Sequence, residues 1–184
     1  LQDLAERFGT HGLRLSRLSH GEDHRADNPR EERKGISAET TFFEDLSQLS
    51  DLEDVLAELS EKVGRHARSS GLAGRVVTLK LRTTDFRIVT RRRTLPLPTQ
   101  TAKTLFAVGR QLLAREATGR PYRLIGIGLA DLMDTQALEG DFFDGEEQRA
   151  LAGEKTLDAL RARFGADAVT SGRIFRAKTT NRGD

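Results

Sequence analysis

Residues Val77 to Arg82 alternate without interruption. Val77, Leu79 and Leu81 are apolar, and Thr78, Lys80 and Arg82 are polar or charged. Successive side chains of a strand point to opposite faces, so this segment, within a strand over Arg75–Arg82, buries one face and leaves the other wet. Tyr122 to Leu129 repeats the pattern with a variation: Ile125, Ile127 and Leu129 share one face, and Gly126 and Gly128 leave the other bare of side chains. In Ile36–Phe42, Ile36, Ala38, Thr40 and Phe42 oppose Ser37, Glu39 and Thr41. Arg87–Leu95 supplies a further strand after a turn at Thr83-Thr84-Asp85. Its parity is mixed, with Val89 and Leu95 favouring one face and Ile88 the other, which predicts a bulge in its middle. Pro96 and Pro98 predict its end.

Two helices separate these strands. Ser50-Asp51-Leu52-Glu53 has the form of a capping box, with Ser50 as N-cap, and Leu52, Val55, Leu56, Leu59 and Val63 follow at helical spacing. Ser69-Ser70-Gly71 closes that helix, since glycine accepts a left-handed conformation. Thr99 or Thr101 caps the second helix, whose apolar face is Ala102, Leu105, Phe106, Gly109, Leu112 and Leu113, and Gly119-Arg120-Pro121 ends it. The order strand, helix, strand, strand, helix, strand over residues 36–132 predicts an α+β domain. It is a four-stranded antiparallel-type sheet with two helices packed on one face.

The uncovered face carries Ser37, Thr41, Thr78, Lys80, Arg82 and the two glycines. Cations neutralise phosphates, hydroxyls donate to them, and glycines let backbone amides approach. Charge along the chain points the same way. From Arg75 to Arg123 twelve Lys and Arg are opposed only by Asp85 and Glu116, whereas Glu39–Glu61 and Asp131–Glu147 are acidic. A basic middle suggests one face that meets a polyanion, against the plainer reading of a solvated, salt-bridged surface. No base-reading set of Asn, Gln or Arg opens a helix, so the contact is expected to ignore sequence.

Other features exclude whole classes. No apolar run is long enough for a membrane helix, and no secretory leader is evident. With no cysteine there is no disulfide, thiolate nucleophile or zinc–thiolate site. One tyrosine and no tryptophan disfavour a base-stacking single-strand binder. His11, His20, His24 and His66 lack metal-ligand spacing, so no metal site is expected. Gly126-Ile127-Gly128 lies inside a strand and is no dinucleotide fingerprint. Ser69-Ser70 reads as helix-end chemistry, not as a nucleophile. Leu1, Leu4, Ala5 and Phe8 begin in mid-helix without a methionine, so the chain is read as a fragment of a longer protein. Residues 1–22 read as two short helices broken at Phe8-Gly9-Thr10-His11-Gly12, and residues 23–35 as a linker.

Several of these stretches together resemble one family. Lys34-Gly35-Ile36-Ser37-Ala38-Glu39-Thr40-Thr41-Phe42 with Asp45 is similar to the opening of the little-finger domain of Y-family DNA polymerases of the bacterial DNA polymerase IV type. The likeness continues through Val77–Arg82, Asp85-Phe86, Thr90–Leu95 and Arg123–Gly128. Upstream, Leu4 to Gly12, then Gly21 and Asp23, resembles the end of the thumb. The resemblance covers about residues 1–132. It implies error-prone translesion synthesis by the full-length protein, a DNA-directed nucleotidyltransferase whose palm carboxylates hold magnesium. Those carboxylates have no counterpart here, so this piece is expected to be inactive alone and to hold no cofactor.

The resemblance implies that the sheet grips double-stranded primer-template DNA by its backbones. The residues assigned are Arg33 and Lys34 in the linker, Ser37 and Thr41, Thr78, Lys80 and Arg82, Thr90, Arg91, Arg92 and Arg93, and Arg123. The plainer reading of Arg91–Arg93 is a strand edge kept soluble by charge. Gly35 stands where the family usually has serine. Glu39 would repel phosphate unless a neighbouring arginine neutralises it.

After the domain, residues 133–145 read as a tether. Gln136, Leu138, Phe142 and Phe143 are similar to the family's sliding-clamp-binding peptide, although the spacing differs; the plainer reading docks the two phenylalanines on their own domain. Residues 146–184 form a tail with one helix over 146–164, Ala168-Val169 and Ile174-Phe175 being short strands or anchors. The chain is expected to be cytoplasmic, monomeric and free of membrane. Two competing readings are a catalytically inactive Y-family relative that acts as a clamp adaptor, and a generic nucleic-acid-binding module.

Overall fold

The structure is a computed structural model. It describes residues 34–136 and 145–165, together with residues 8, 9, 19, 20, 168–170, 172 and 174. The chain divides into two compact units, Leu1–Glu32 and Arg33–Asp184. The expected thumb remnant and linker fall almost wholly outside the described residues; in the first unit Phe8, Gly9 and Ser19 are helical.

In the second unit the elements run β1 (Gly35–Leu46), α1 (Leu49–Ser69), β2 (Leu72–Thr83), β3 (Ile88–Thr99), α2 (Ala102–Glu116), β4 (Tyr122–Asp134) and α3 (Gly145–Phe164). The four strands form one antiparallel sheet in the order β1-β4-β2-β3. This is the α+β sheet with α1 and α2 on one face that the alternation predicts. Val77, Leu79, Leu81, Ile125, Ile127 and Leu129 are buried beneath Leu52, Leu56, Leu59 and Val63 of α1 and Leu105, Leu112 and Leu113 of α2. The helices meet closely at Gly64, where an added Cβ would lie 2.8 Å from the Ala102 nitrogen.

Local chemistry departs from the sequence reading in three places. Gln48, not Ser50, is the N-cap of α1, with no side-chain cap bond. Glu53 turns inward, 7% exposed, and its carboxylate accepts from Arg110 Nε at 2.8 Å, so the capping box does not form. The strand β3 also does not stop at Pro96. It runs through both prolines, because it is an edge strand whose outer side needs no N–H for a ladder. Its bulge lies at residues 95–98, beyond the expected middle: Gly74 pairs with Thr99 and Val76 with Thr94, so two steps on β2 span five on β3. Arg75 donates to the Leu95 and Pro96 carbonyls there, at 3.4 and 3.3 Å. Finally, β4 continues to Asp134, and Thr135 donates to the Gly71 carbonyl through N–H and hydroxyl at 2.8 and 2.9 Å.

The helix α3 packs on α1 and α2, and charge does most of the holding. None of its residues is buried. Glu154 accepts from the Ala102 and Lys103 amides at 2.8 and 3.0 Å, and Glu147 accepts from the hydroxyls of Thr99, Thr101 and Thr104. These carboxylates sit where the N-terminal dipole of α2 favours negative charge, beside the side-chain cap that Thr101 offers to Thr104 N. Arg68 of α1 adds ion pairs to Glu154 and to Asp158, the latter at 2.7 Å, and Arg161 reaches Glu61 at 2.9 Å. Ile174 is helical and 5% exposed, so it is not the short strand that was one of its two expected forms.

Candidate nucleic-acid interface

Paired residues of adjacent strands point to the same side, so the register sorts every candidate by face. Three rows cross the uncovered side. Ser37, Gly128, Thr78 and Arg92 form one; Glu39, Gly126, Lys80 and Thr90 the next; Thr41, Leu124, Arg82 and Ile88 the third. The structure therefore brings together Ser37, Thr41, Thr78, Lys80, Arg82, Thr90 and Arg92. Arg82 and Arg92 make no ion pair with a described residue. A shallow trough of about 340 Å³ follows the bare strip of β4 between Ser37, Glu39, Thr78 and Lys80.

Arg91 and Arg93 do not join that face. They pair with Leu79 and Val77, whose side chains enter the core, so both arginines reach over the helix side. Arg91 holds Glu116 of α2, with Nε to Oε1 at 2.7 Å, and Arg93 bonds Gln111 of the same helix. The run of three arginines is thus split, one outward and two against α2.

Glu39 has found a counter-ion, but it is not the neighbouring arginine that the sequence suggested. Lys80 Nζ lies 2.7 Å from Glu39 Oε2, across the intervening β4 at Gly126. Arg123 sits in a small bulge, where Arg82 pairs with Leu124 and Thr83 with Tyr122. Its guanidinium pairs with Asp45 at 3.3 Å and lies 5.2 Å from the centre of the Phe86 ring. Phe86 has a φ of 62° in the β2–β3 turn. There the Thr83 hydroxyl first, and Arg87 after it, hold the Asp85 carboxyl below the usual carboxylate range. The sequence reading missed Ile88, 56% exposed in the Arg82 row, Phe86, 63% exposed, and Phe43, which stands fully exposed where β1 bulges between Thr41 and Leu46. Alternation already sets Ile88 on the face opposite Val89; its apolar side chain is what kept it from being counted among the phosphate contacts.

Lys34 is exposed just before β1, and Gln136 is exposed after β4 with its N–H on Asp134 Oδ1 at 2.8 Å. Arg33, Leu138, Phe142 and Phe143 lie outside the described residues. Among the described residues no three His, Cys, Asp or Glu gather to hold a metal, and no helix is long and apolar enough to cross a membrane.

Residues 33–142 match the family described as the impB/mucB/samB family C-terminal domain. DNA polymerase IV of Caulobacter vibrioides is 55% identical over 178 residues, which cover 97% of this chain and 44% of that protein. DNA polymerase IV 1 of Mesorhizobium japonicum is 45% identical over 174 residues, 94% of this chain and 40% of that protein. The chain thus spans less than half the length of these curated relatives. Among solved structures, a complex of the beta-clamp processivity factor and the little finger domain of PolIV is similar at a TM-score of 0.47. It shows 24% identity and covers 60% of this chain and 98% of that one. An insertion ternary complex of Dbh DNA polymerase gives 0.48 and 16% identity, covering 72% and 38%.

Proposed function

The chain belongs to the impB/mucB/samB family through its C-terminal domain, and from that premise we propose that it is the DNA-gripping part of a translesion DNA polymerase. It holds double-stranded primer-template DNA by the phosphate backbones, without reading sequence. The observation that carries this is the uncovered sheet face, where Lys80, Arg82 and Arg92 stand among the hydroxyls of Ser37, Thr41, Thr78 and Thr90, with Gly126 and Gly128 of β4 leaving two of the three rows bare at their middle. Such a face offers positive charge and hydrogen bonds to phosphates and no fixed donor pattern for a base edge. Lys34 and Arg123 add positive charge beside that face, and Arg33 precedes Lys34 in the chain as a further candidate contact. The nucleotidyl transfer belongs to the rest of such a protein. The metal it uses there is magnesium, and the carboxylates described here do not fit that ion, so no metal-dependent step is assigned to this chain. Gln136, Leu138, Phe142 and Phe143 tether the polymerase to a sliding clamp. The protein works in the cytoplasm as a monomer.

The test is duplex binding by the whole chain as a function of salt. Each phosphate contact contributes a slope of about −0.9 in log K against log salt. Arg82→Ala/Arg92→Ala should flatten the slope by about two contacts and weaken binding on every sequence. Arg91→Ala/Arg93→Ala, on the helix side, should change it far less. Equal losses from the two pairs would show that the uncovered face is not the grip.

A further inference from the structure

The Glu39–Lys80 pair joins two strands that are not neighbours. It is possible because β4 between them is bare: a Cβ on Gly126 would lie 2.8 Å from the Cβ of Glu39. Both partners are open to solvent, Lys80 34% and Glu39 50% exposed, and they line the trough with Ser37 and Thr78. The cation at the centre of the face is therefore already occupied, by a carboxylate that presents two oxygens much as a phosphate does.

We propose that Glu39 is a resident phosphate mimic, which a backbone phosphate must displace from Lys80 for the duplex to seat. This rests on the reading of the face as a DNA grip. Arg82 and Arg92, with no ion pair to a described residue, make the first contacts, and Lys80 exchanges its carboxylate for phosphate afterwards. The exchange has a definite ionic balance. The phosphate would release one condensed cation as Lys80 arrives, but Glu39, freed beside the duplex, holds one back, because the pair brings no net charge to the DNA. The two nearly cancel, so in the natural chain Lys80 adds almost nothing to the salt slope although it lies at the centre of the interface. Glu39 thereby keeps the grip weak and lets the duplex slide.

Glu39→Gln keeps the shape and removes the charge. Its duplex affinity should rise about threefold or more at low salt, because an exposed ion pair no longer has to be broken and no carboxylate faces the phosphates. Its salt slope should steepen by about 0.9, as Lys80 begins to count as a full contact. Adding Lys80→Gln to Glu39→Gln should return the slope to the natural value; far-UV circular dichroism checks that all three chains fold alike. Binding by the natural chain and Glu39→Gln with equal slopes would overturn the exchange and leave the grip standing. Absence of duplex binding by both would overturn the grip and the exchange together. A weaker Glu39→Gln would show that the carboxylate positions Lys80 and does not compete with phosphate.

Discussion

Arg68→Met tests how α3 is held. Arg68 lies near the end of α1 with its side chain only 5% exposed. Its guanidinium pairs with Glu154 and Asp158 of α3 and donates to the Gln100 carbonyl at 3.0 Å. Methionine keeps the aliphatic stem and removes the charge. Glu154 would then face Glu147 without Arg68 to offset it, whereas Asp158 keeps Arg65 and Arg161 at 3.8 and 4.0 Å. Stranding a buried charge costs about 3–5 kcal/mol. Undocking costs less, because α3 has no buried residue and a crevice of about 260 Å³ remains between it and the two helices beneath. What undocking forfeits is the pair of foreign carboxylate caps, each about 0.5–2 kcal/mol, and a few surface pairs at about 0–1 kcal/mol each. A docking free energy of about 3 kcal/mol follows from those terms. Hydrogen exchange should therefore show the α3 amides losing about two orders of magnitude of protection in Arg68→Met, while β2 and β4 keep theirs. Raising sodium chloride towards 1 M should loosen α3 in the natural chain too, because the screening length there falls to about 3 Å. If α3 kept its protection in Arg68→Met, or lost it only together with the sheet, the helix would be held by packing, and the charge argument would be refuted.

Gly64→Ala should destabilise the domain by about 1–3 kcal/mol in urea unfolding, since the new methyl meets the backbone of Ala102 at 2.8 and 3.2 Å and backbone cannot turn aside. Glu154 supplies a pH signature. Burial pushes its carboxyl above the ordinary value, against the opposing pull of the Ala102 and Lys103 amides and of Arg68. The folded chain thus holds that proton more tightly than the unfolded one. The associated stability is fully present below the unfolded value and is lost as pH rises through the raised folded value. Glu154→Gln should accordingly flatten the decline in urea midpoint from acid towards neutral pH, and a slope identical to the natural chain's would sink the assignment.

The strands of the sheet were legible because alternation is a local property. Val77–Arg82 and Ile125–Leu129 declare their buried faces without reference to anything else in the chain. Partnerships set by the fold were not legible. Glu53 three residues after Ser50 reads as a cap, yet its carboxylate is claimed by Arg110, 57 residues away, and a contact of that range leaves no local trace. Pro96 and Pro98 read as a stop because strand order is invisible to periodicity. Only after β3 is known to be an edge do two prolines become compatible with it. The docking of α3 is the extreme case, for its carboxylates cap a helix end 46 and 52 residues earlier in the chain.

The arginine run and the glycines show the same limit at the candidate site itself. Three adjacent arginines look like one cationic patch, but adjacency along a strand means opposite faces, so a contiguous run must be divided. Val89 opposite Leu81 fixes the division, leaving Arg92 outside and giving Arg91 and Arg93 to α2. In the sequence the two glycines are places where a backbone amide can approach a phosphate. They also remove the wall between β1 and β2. Without a Cβ at position 126, the Glu39 carboxylate and the Lys80 ammonium meet across a whole strand. A larger residue there would push Glu39 aside and break the pair. The same bare strip that opens the trough to a phosphate thus lets the protein place its own anion beside it, and the strength of the grip depends on how those two anions share one lysine.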